Sequence, residues 1–296
     1  MLRLLNKWSD RIYAARNGLS AIMVESGYLH VKVRKRGARD LTVTYPLTIS
    51  DSGQVVIEGL GERSVIAGTL CRVLVPDPEC YVRLVEFSEL PKNEFKARQF
   101  LQWKLEKELL DASGKYEIAL GPIKRKAGVC SSLIVKQTLV RAVGDILGQL
   151  QAVPASMMPS SFYVHAYLRQ RAQRHYDQPI PSVLIQVGLQ GWSILVTRLD
   201  GQICLLRSCL WSGDQVDDSD IVDIYSDCLR INRRYGRNAL TDGIALLGEG
   251  PMVARVLECA HRHDLSFAVM DPDGWIAPQE GQYNLHLLDV VLNSEH

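Results

Sequence analysis

The segment whose residue types and spacing best suit chemistry is Gly248-Glu249-Gly250, which follows the apolar run Ile244-Ala245-Leu246-Leu247 and precedes a helix expected over 251–263. Glycines let the backbone turn sharply there, and the first N–H groups of a helix have no internal partners, so an anion fits at that end. A plain strand-to-helix turn needs glycine for the same backbone reason, and both readings stand. His261-Arg262-His263 closes the same expected helix. Side chains at i and i+2 leave different helix faces, and no Cys or Asp nearby completes a ligand set, so these are cations near a helix C-terminus and not a metal pair. Ser131-Ser132 and Ser160-Ser161 lack a nucleophile elbow. The seven cysteines (71, 80, 130, 204, 209, 228, 259) are scattered without a C-x-x-C, most of them in apolar runs. They read as free, buried thiols of a reducing compartment. No catalytic residue and no metal ligand is assigned.

The elements that must position such residues begin with the size of the chain. At 296 residues it is large enough for two lobes, since single cores stop growing near about 250–300 residues. Lys+Arg of 34 against Asp+Glu of 33 gives a net charge of +1, so no global field gathers nucleic acid. No window approaches the roughly 18–20 apolar residues of a membrane span, and the N-terminus has no continuous apolar signal core, so a cytoplasmic location is expected. Residues 1–17, MLRLLNKWSDRIYAARN, form an amphipathic helical pattern with Leu2, Leu5, Trp8, Ile12 and Ala15 on one side. Arg3, Lys7, Arg11 and Arg16 against Asp10 make it net basic, which suits peripheral contact with anionic headgroups or packing on the protein body.

Alternation over 21–24, 29–33 and 41–47, with turns at Ser26-Gly27 and 35–39, predicts an antiparallel meander. The runs 182–187, 192–198 and 202–208 repeat it, and helix-strand units follow at 217–235, 243–247, 251–263 and 266–270. Each half thus starts with a meander, which implies internal duplication. Residues 55–69 are expected to be an interrupted helix, 154–160 a break, 161–175 a helix and 176–181 a linker. Arg230, Arg233, Arg234 and Arg237 line the end of the 217–235 helix as a solvated basic face.

The most informative stretch is 84–111, LVEFSELPKNEFKARQFLQWKLEKELLD, where a strand runs through Leu90-Pro91 into a helix that Asn93 caps. Leu101, Leu105 and Leu109 form one apolar stripe, and Phe100, Trp103 and Leu110 form another roughly opposite. Glu94/Arg98 and Lys104/Glu108 are at i,i+4 spacing. A helix apolar on two sides needs two neighbours. The second stripe is either more core or a docking surface.

This strand, the Leu-Pro step, the acidic helix start and the Trp103-Lys104-Leu105 core ending in Glu108-Leu109-Leu110 resemble the PilM family and its relatives MshI and the cytoplasmic part of GspL. The resemblance implies an α/β, actin-like (ribonuclease H-like, duplicated) two-lobe fold with a small α+β insertion in lobe one. It implies a segment 1–17, a first lobe 18–175 with the insertion at about 76–150, and a second lobe 176–296. It further implies a scaffold role at the cytoplasmic face of the inner membrane, in type IV pilus biogenesis, with a bitopic PilN-like partner docking on Phe100, Trp103 and Leu110. A GspL-like secretion component and an ATP-binding phosphotransferase of the same superfold are the alternatives.

An actin-like ATPase holds its nucleotide between two hairpin turns whose backbone N–H groups cradle phosphate while an Asp organises Mg²⁺. The resemblance places these turns at Val24-Glu25-Ser26-Gly27-Tyr28 and at Gln186-Val187-Gly188-Leu189-Gln190-Gly191, with Gly248-Glu249-Gly250 on the adenosine side. Glu25, Gly188, Gly191, Gly248 and Gly250 would then be the cofactor contacts for ATP and magnesium. Asp is missing before Gly27, and Gln186 stands where the fold usually has Asp. The expectation is therefore a degenerate cleft with no enzymatic turnover. Gln282–Leu288 loosely resembles the Asn-Leu-Leu segment where GspL-type chains leave their cytoplasmic domain.

Overall fold

The computed structural model describes residues 13–14, 16–25, 27–50, 54–62, 64–108, 115–174, 183–188, 191–197, 203–211, 218–235, 244–248, 250–265, 267–269 and 282–293. The chain divides into two compact units. One comprises Met1–Pro76, Thr138–Gln178 and Gly281–His296, the other Asp77–Gln137 and Pro179–Glu280.

The first unit is built on the sheet β4-β3-β2-β1-β5-β9. Strands β1 (Leu19–Glu25), β2 (Tyr28–Arg34), β3 (Leu41–Ile49) and β4 (Val55–Ile57) form an antiparallel meander. β5 (Leu70–Val75) returns parallel to β1, and β9 (Val153–Pro159) parallel to β5. Ala21 and Ile22, successive residues on opposite faces of β1, are both fully buried, whereas β2 buries Leu29 and Val31 on one face and leaves Tyr28, His30 and Lys32 at least partly open on the other. Helices α2 (Gln137–Gln149), α3 (Ser160–Arg174) and α6 (Gln282–Asn293) belong to this architecture. α6 packs on α3, β1 and β2, fixed by a Lys32–Asp289 ion pair and by Arg72 Nη1 donating to Val291 O at 2.6 Å.

The second unit carries the sheet β14-β13-β10-β11-β12-β6-β8-β7. β10 (Val183–Val187), β11 (Gly191–Thr197) and β12 (Ile203–Leu210) repeat the meander, and β13 (Ile244–Gly248) and β14 (Ala268–Val269) repeat the parallel strands. The order β12-β11-β10-β13-β14 is thus the same as β3-β2-β1-β5-β9. α4 (Asp218–Tyr235) and α5 (Gly250–Arg262) link the parallel strands, as right-handed crossovers require. Every residue of β10 and β13 is buried.

The insertion lies in sequence between β5 and α2 and consists of β6 (Cys80–Glu86), α1 (Glu94–Glu108), β7 (Tyr116–Lys124) and β8 (Val129–Lys136). It extends the second unit's sheet, with β6 meeting β12 at Leu206↔Val82. Val85, Leu101, Leu105, Cys130 and Ile134 form its own small core.

Several details differ from the sequence reading. α2, assigned there to the insertion, packs with the first unit, so the insertion ends near 137. Ala142, Val143, Ile146 and Leu147 give α2 a continuous buried face. The segment 281–296, assigned to the second lobe, belongs to the first unit, and Leu287 and Leu288 are buried within α6. Residues 55–69 are a short strand followed by turns instead of a helix, since Gly59 and Gly68 adopt φ of 71° and 74°. The expected break at 154–160 is β9, an edge strand where proline is tolerated. Residues 13, 14, 16 and 17 are helical, and Tyr13 Oη donates to Gly68 O at 3.0 Å. Residues 1–12, the expected linker 176–181 and Leu110 lie outside the described residues.

Candidate functional site

The strongest surface feature lies in the inserted segment. Asn93 Oδ1 accepts from the Lys96 N–H at 3.1 Å, which caps α1 as its position predicts. Ala97, Leu101 and Leu105 are fully buried and form the inner face of α1. The other stripe is exposed: Phe100 is 41 % and Trp103 55 % accessible, and their ring centroids lie 6.0 Å apart with the planes tilted by 39°. Lys107 Nζ lies 5.4 Å from the Trp103 ring centroid, a cation–π arrangement that holds the indole in place.

These rings form one wall of an open groove of about 1030 Å³. Its other side is the end of β6 and the start of β8, with Phe87, Gly128 and Val129 lining it. Phe87 N donates to Gly128 O at 2.8 Å and joins these two segments. Lys104 does not pair with Glu108 as its spacing suggests. Its ammonium donates to Glu86 O at 2.8 Å, while Glu108 faces Arg83 at 3.8 Å. The predicted Glu94–Arg98 pair is present at 3.2 Å, and Arg98 also reaches Leu120 O. The groove lining therefore combines the apolar side chains Phe87, Phe100, Trp103 and Val129 with charges of both signs. Its contributors from β6 and β8 carried no signal in the sequence, because they meet α1 only through the antiparallel pairing of those strands.

The glycine turns are less suited to a ligand. Gly188 N donates to Gly191 O at 2.9 Å, and Gly188 O accepts from Trp211 Nε1 at 3.0 Å, so both main-chain groups of Gly188 have partners within the protein. A Cβ on Gly191 would stand 2.2 Å from Cys209 O. A Cβ on Gly248, whose φ is +153°, would stand 1.9 Å from Val187 O. Both glycines are thus demanded by strand-on-strand approach, whatever else they do. Gly250 is the first residue of α5. Gln186 is buried at 8 % exposure in β10, an amide where metal-assisted phosphate binding needs a carboxylate. Glu25 ends β1, opposite Tyr28 in the hairpin, and its side chain lies outside the described residues.

A polar cluster joins α4 to α5. Cys259 Sγ donates to Asp218 Oδ1 at 3.0 Å, Arg262 Nη1 donates to Asp218 Oδ2 at 2.7 Å, and His263 Nε2 lies 3.3 Å from the same oxygen. The Cys259 thiol, Arg262 and His263 together hold the Asp218 carboxyl below the usual range. Burial and Asp218 push the thiol up, which disables it as a nucleophile. Arg262 and His263 thus serve the packing of α4 on α5 through Asp218. Arg230 pairs with Asp227 at 2.7 Å, while the side chains of Arg233, Arg234 and Arg237 lie outside the described residues. Among the described residues no group of His, Cys, Asp or Glu could hold a metal ion. Cys71, Cys80, Cys130, Cys204, Cys209 and Cys259 are free thiols, and burial lifts Cys71 to about 12.

No protein-family model matches the chain, and no curated protein matches it. Among solved structures it is similar to a chain of the PilM-PilN type IV pilus biogenesis complex, at 13 % identity over 92 % of this chain and 94 % of that one, with a TM-score of 0.54. A protein of unknown function with an actin-like ATPase fold from Bacteroides thetaiotaomicron matches at 10 % identity over 95 % and 97 %, TM-score 0.49. The cytoplasmic domain of EpsL, an inner membrane component of the type II secretion system of Vibrio cholerae, matches at 13 % over 94 % and 96 %, TM-score 0.49. With the repeated strand order, the first of these similarities establishes a duplicated actin-like, two-lobe fold.

Proposed function

We propose that this chain is a scaffold of a type IV pilus or related secretion assembly, which engages a membrane-anchored partner through the groove beside α1. The observation that carries the reading is the pair Phe100 and Trp103, two neighbouring aromatic rings left 41 % and 55 % open on the wall of a groove that Phe87 and Val129 also line. Large aromatic side chains in grooves are the usual anchors of protein interfaces. Supporting the partner class is the fold-level likeness to a component of a PilM-PilN complex. On this reading the partner is a bitopic inner-membrane protein of the PilN type, and the chain works at the cytoplasmic face of that membrane.

The protein acts by binding and not by turnover. Gln186 in place of a carboxylate and the internal partners of the Gly188 main chain support that part of the reading. Calorimetric titration with the soluble cytoplasmic segment of the PilN-type protein from the same genome tests the whole. Saturable binding is expected, and Phe100→Ala and Trp103→Ala should each weaken it roughly thirtyfold, since truncating a hot spot costs about 2 kcal/mol or more. Absence of binding would refute the partner class. Unchanged affinity in both variants would refute the groove.

A further inference from the structure

In the first unit one turn gathers cations that meet no carboxylate among the described residues. The turn between β2 and β3 reads Arg34-Lys35-Arg36-Gly37-Ala38-Arg39-Asp40. Its single carboxylate, Asp40, is taken by Arg34 in a forked arrangement, Nε to Oδ1 at 3.0 Å and Nη2 to Oδ2 at 2.7 Å. Lys35, Arg36 and Arg39 are exposed, and among the described residues no ion pair or side-chain hydrogen bond engages them. Elsewhere Lys32, Arg83, Arg98, Lys136, Arg207, Arg230 and Arg262 each meet a carboxylate. Three unpartnered cations within five residues, in a chain of net charge +1, are a local field and not a by-product of overall basicity.

Two further observations direct that field to one kind of partner. Leu41, which follows the turn, is 47 % exposed, so an apolar side chain accompanies the cations. The chain also enters β1 at this same edge, because Leu19 pairs with Arg34 and Ala14 lines a shallow recess with Lys35 and Arg36. In sequence, the preceding segment carries Arg3, Lys7, Arg11 and Arg16 interleaved with Leu2, Leu5, Trp8 and Ile12. Cations mixed with aliphatic and indole side chains match the headgroup zone of an anionic bilayer. The turn offers no aromatic ring on which a nucleic-acid base would stack.

We infer that the β2–β3 turn, through Lys35, Arg36 and Arg39, is a contact surface for an anionic lipid bilayer, placed beside the entry of the basic N-terminal segment. This surface belongs to the first unit and does not depend on the reading of the α1 groove in the second.

Vesicle co-sedimentation of the full chain tests it, with phosphatidylcholine vesicles and vesicles containing about one third phosphatidylglycerol. Binding is expected to the anionic vesicles alone and to weaken progressively with added salt. Each basic residue near such a surface contributes about 1 kcal/mol, roughly fivefold, so K35Q/R36Q/R39Q should lower partitioning roughly a hundredfold. The charge-preserving variant K35R/R36K/R39K should partition like the parent and guards against a folding defect, as does an unchanged melting temperature. The inference is overturned if the parent chain ignores anionic vesicles, if its binding is insensitive to salt, or if the glutamine variant partitions equally well. Tighter binding to a DNA duplex at equal phosphate concentration, lost in the glutamine variant, would overturn it in favour of nucleic acid.

Discussion

Ser193 Oγ donates a 2.7 Å hydrogen bond to Asp77 Oδ2, deep in the second unit, where both side chains are buried at 3 % and 5 % exposure. The main-chain oxygen of Asp77 accepts from Ser208 Oγ at 2.8 Å. The first residue of the inserted segment is therefore tied to β11 and β12 of the sheet that the insertion extends. These bonds fix the register with which β6 meets β12, an edge otherwise joined at Leu206↔Val82. Asp77→Ala leaves a buried hydroxyl without that acceptor and is expected to cost roughly 2 kcal/mol. Thermal unfolding should show Ser193→Ala and Asp77→Ala coupled in a double-mutant cycle, and additive effects would mean the bond is not formed.

The two faces of α1 should separate cleanly by mutation. Leu101 is fully buried, so Leu101→Ala should destabilise by about 2–5 kcal/mol through lost contacts and a cavity. Trp103→Ser should stay within about 1 kcal/mol of the parent, because the indole is mostly in solvent. If Trp103→Ser unfolds the protein in a urea titration, the second stripe is core after all.

What the sequence revealed and concealed on this helix has one physical cause. Periodicity finds apolar stripes, here Leu101/Leu105 and Phe100/Trp103, but carries no information on what covers them. Burial of the first stripe follows from its pairing with Val85, Cys130 and Ile134, which come from strands 16 or more residues away. The meanders were legible for a related reason, since adjacent antiparallel strands announce themselves by short runs and turns. β9 was not, because Pro154 and Pro159 speak against a strand until it is known to lie at a sheet edge. Nor did anything in residues 80–86 indicate that β6 would join the second meander, since the residues that tie it there are polar and far apart in sequence.

The candidate glycines were legible as turns, and their packing role was not. Gly248 and Gly191 face carbonyl oxygens across neighbouring strands, a contact that exists only in the folded sheet. With Gln186 in β10, magnesium and ATP are expected to shift the melting temperature by less than about one degree. A ligand present at a hundred times its dissociation constant would stabilise by about 2.7 kcal/mol, enough for several degrees. Differential scanning fluorimetry with and without magnesium decides it, and a magnesium-dependent rise would restore Glu25, Gly188, Gly248 and Gly250 to a nucleotide site.

His165 in α3 is 5 % exposed, its Nε2 is buried without a hydrogen-bond partner, and burial, reinforced by Arg169, brings it down to about 4. Above 6.5 the imidazole is neutral folded and unfolded, and pH has no effect through it. Between 6.5 and about 4 only the unfolded chain takes up the proton, so stability falls as pH falls, by up to about 3 kcal/mol. His30, also lowered by burial, acts in the same direction. Asp40 and Asp218, held low by their partners, contribute stability that is present above 3.8 and lost only as pH falls through their depressed values. Melting curves from pH 7.5 to 4.5 should be flatter in His165→Leu than in the parent, and equal slopes would show that His165 is not buried neutral.

The scaffold reading is tested most directly by hydrogen–deuterium exchange of the full chain, alone and with the cytoplasmic segment of its PilN-type partner. The account predicts slowed exchange over 86–89, 100–108 and 128–129, the segments that build the groove around Phe100 and Trp103. Protection elsewhere with these segments unchanged would contradict it.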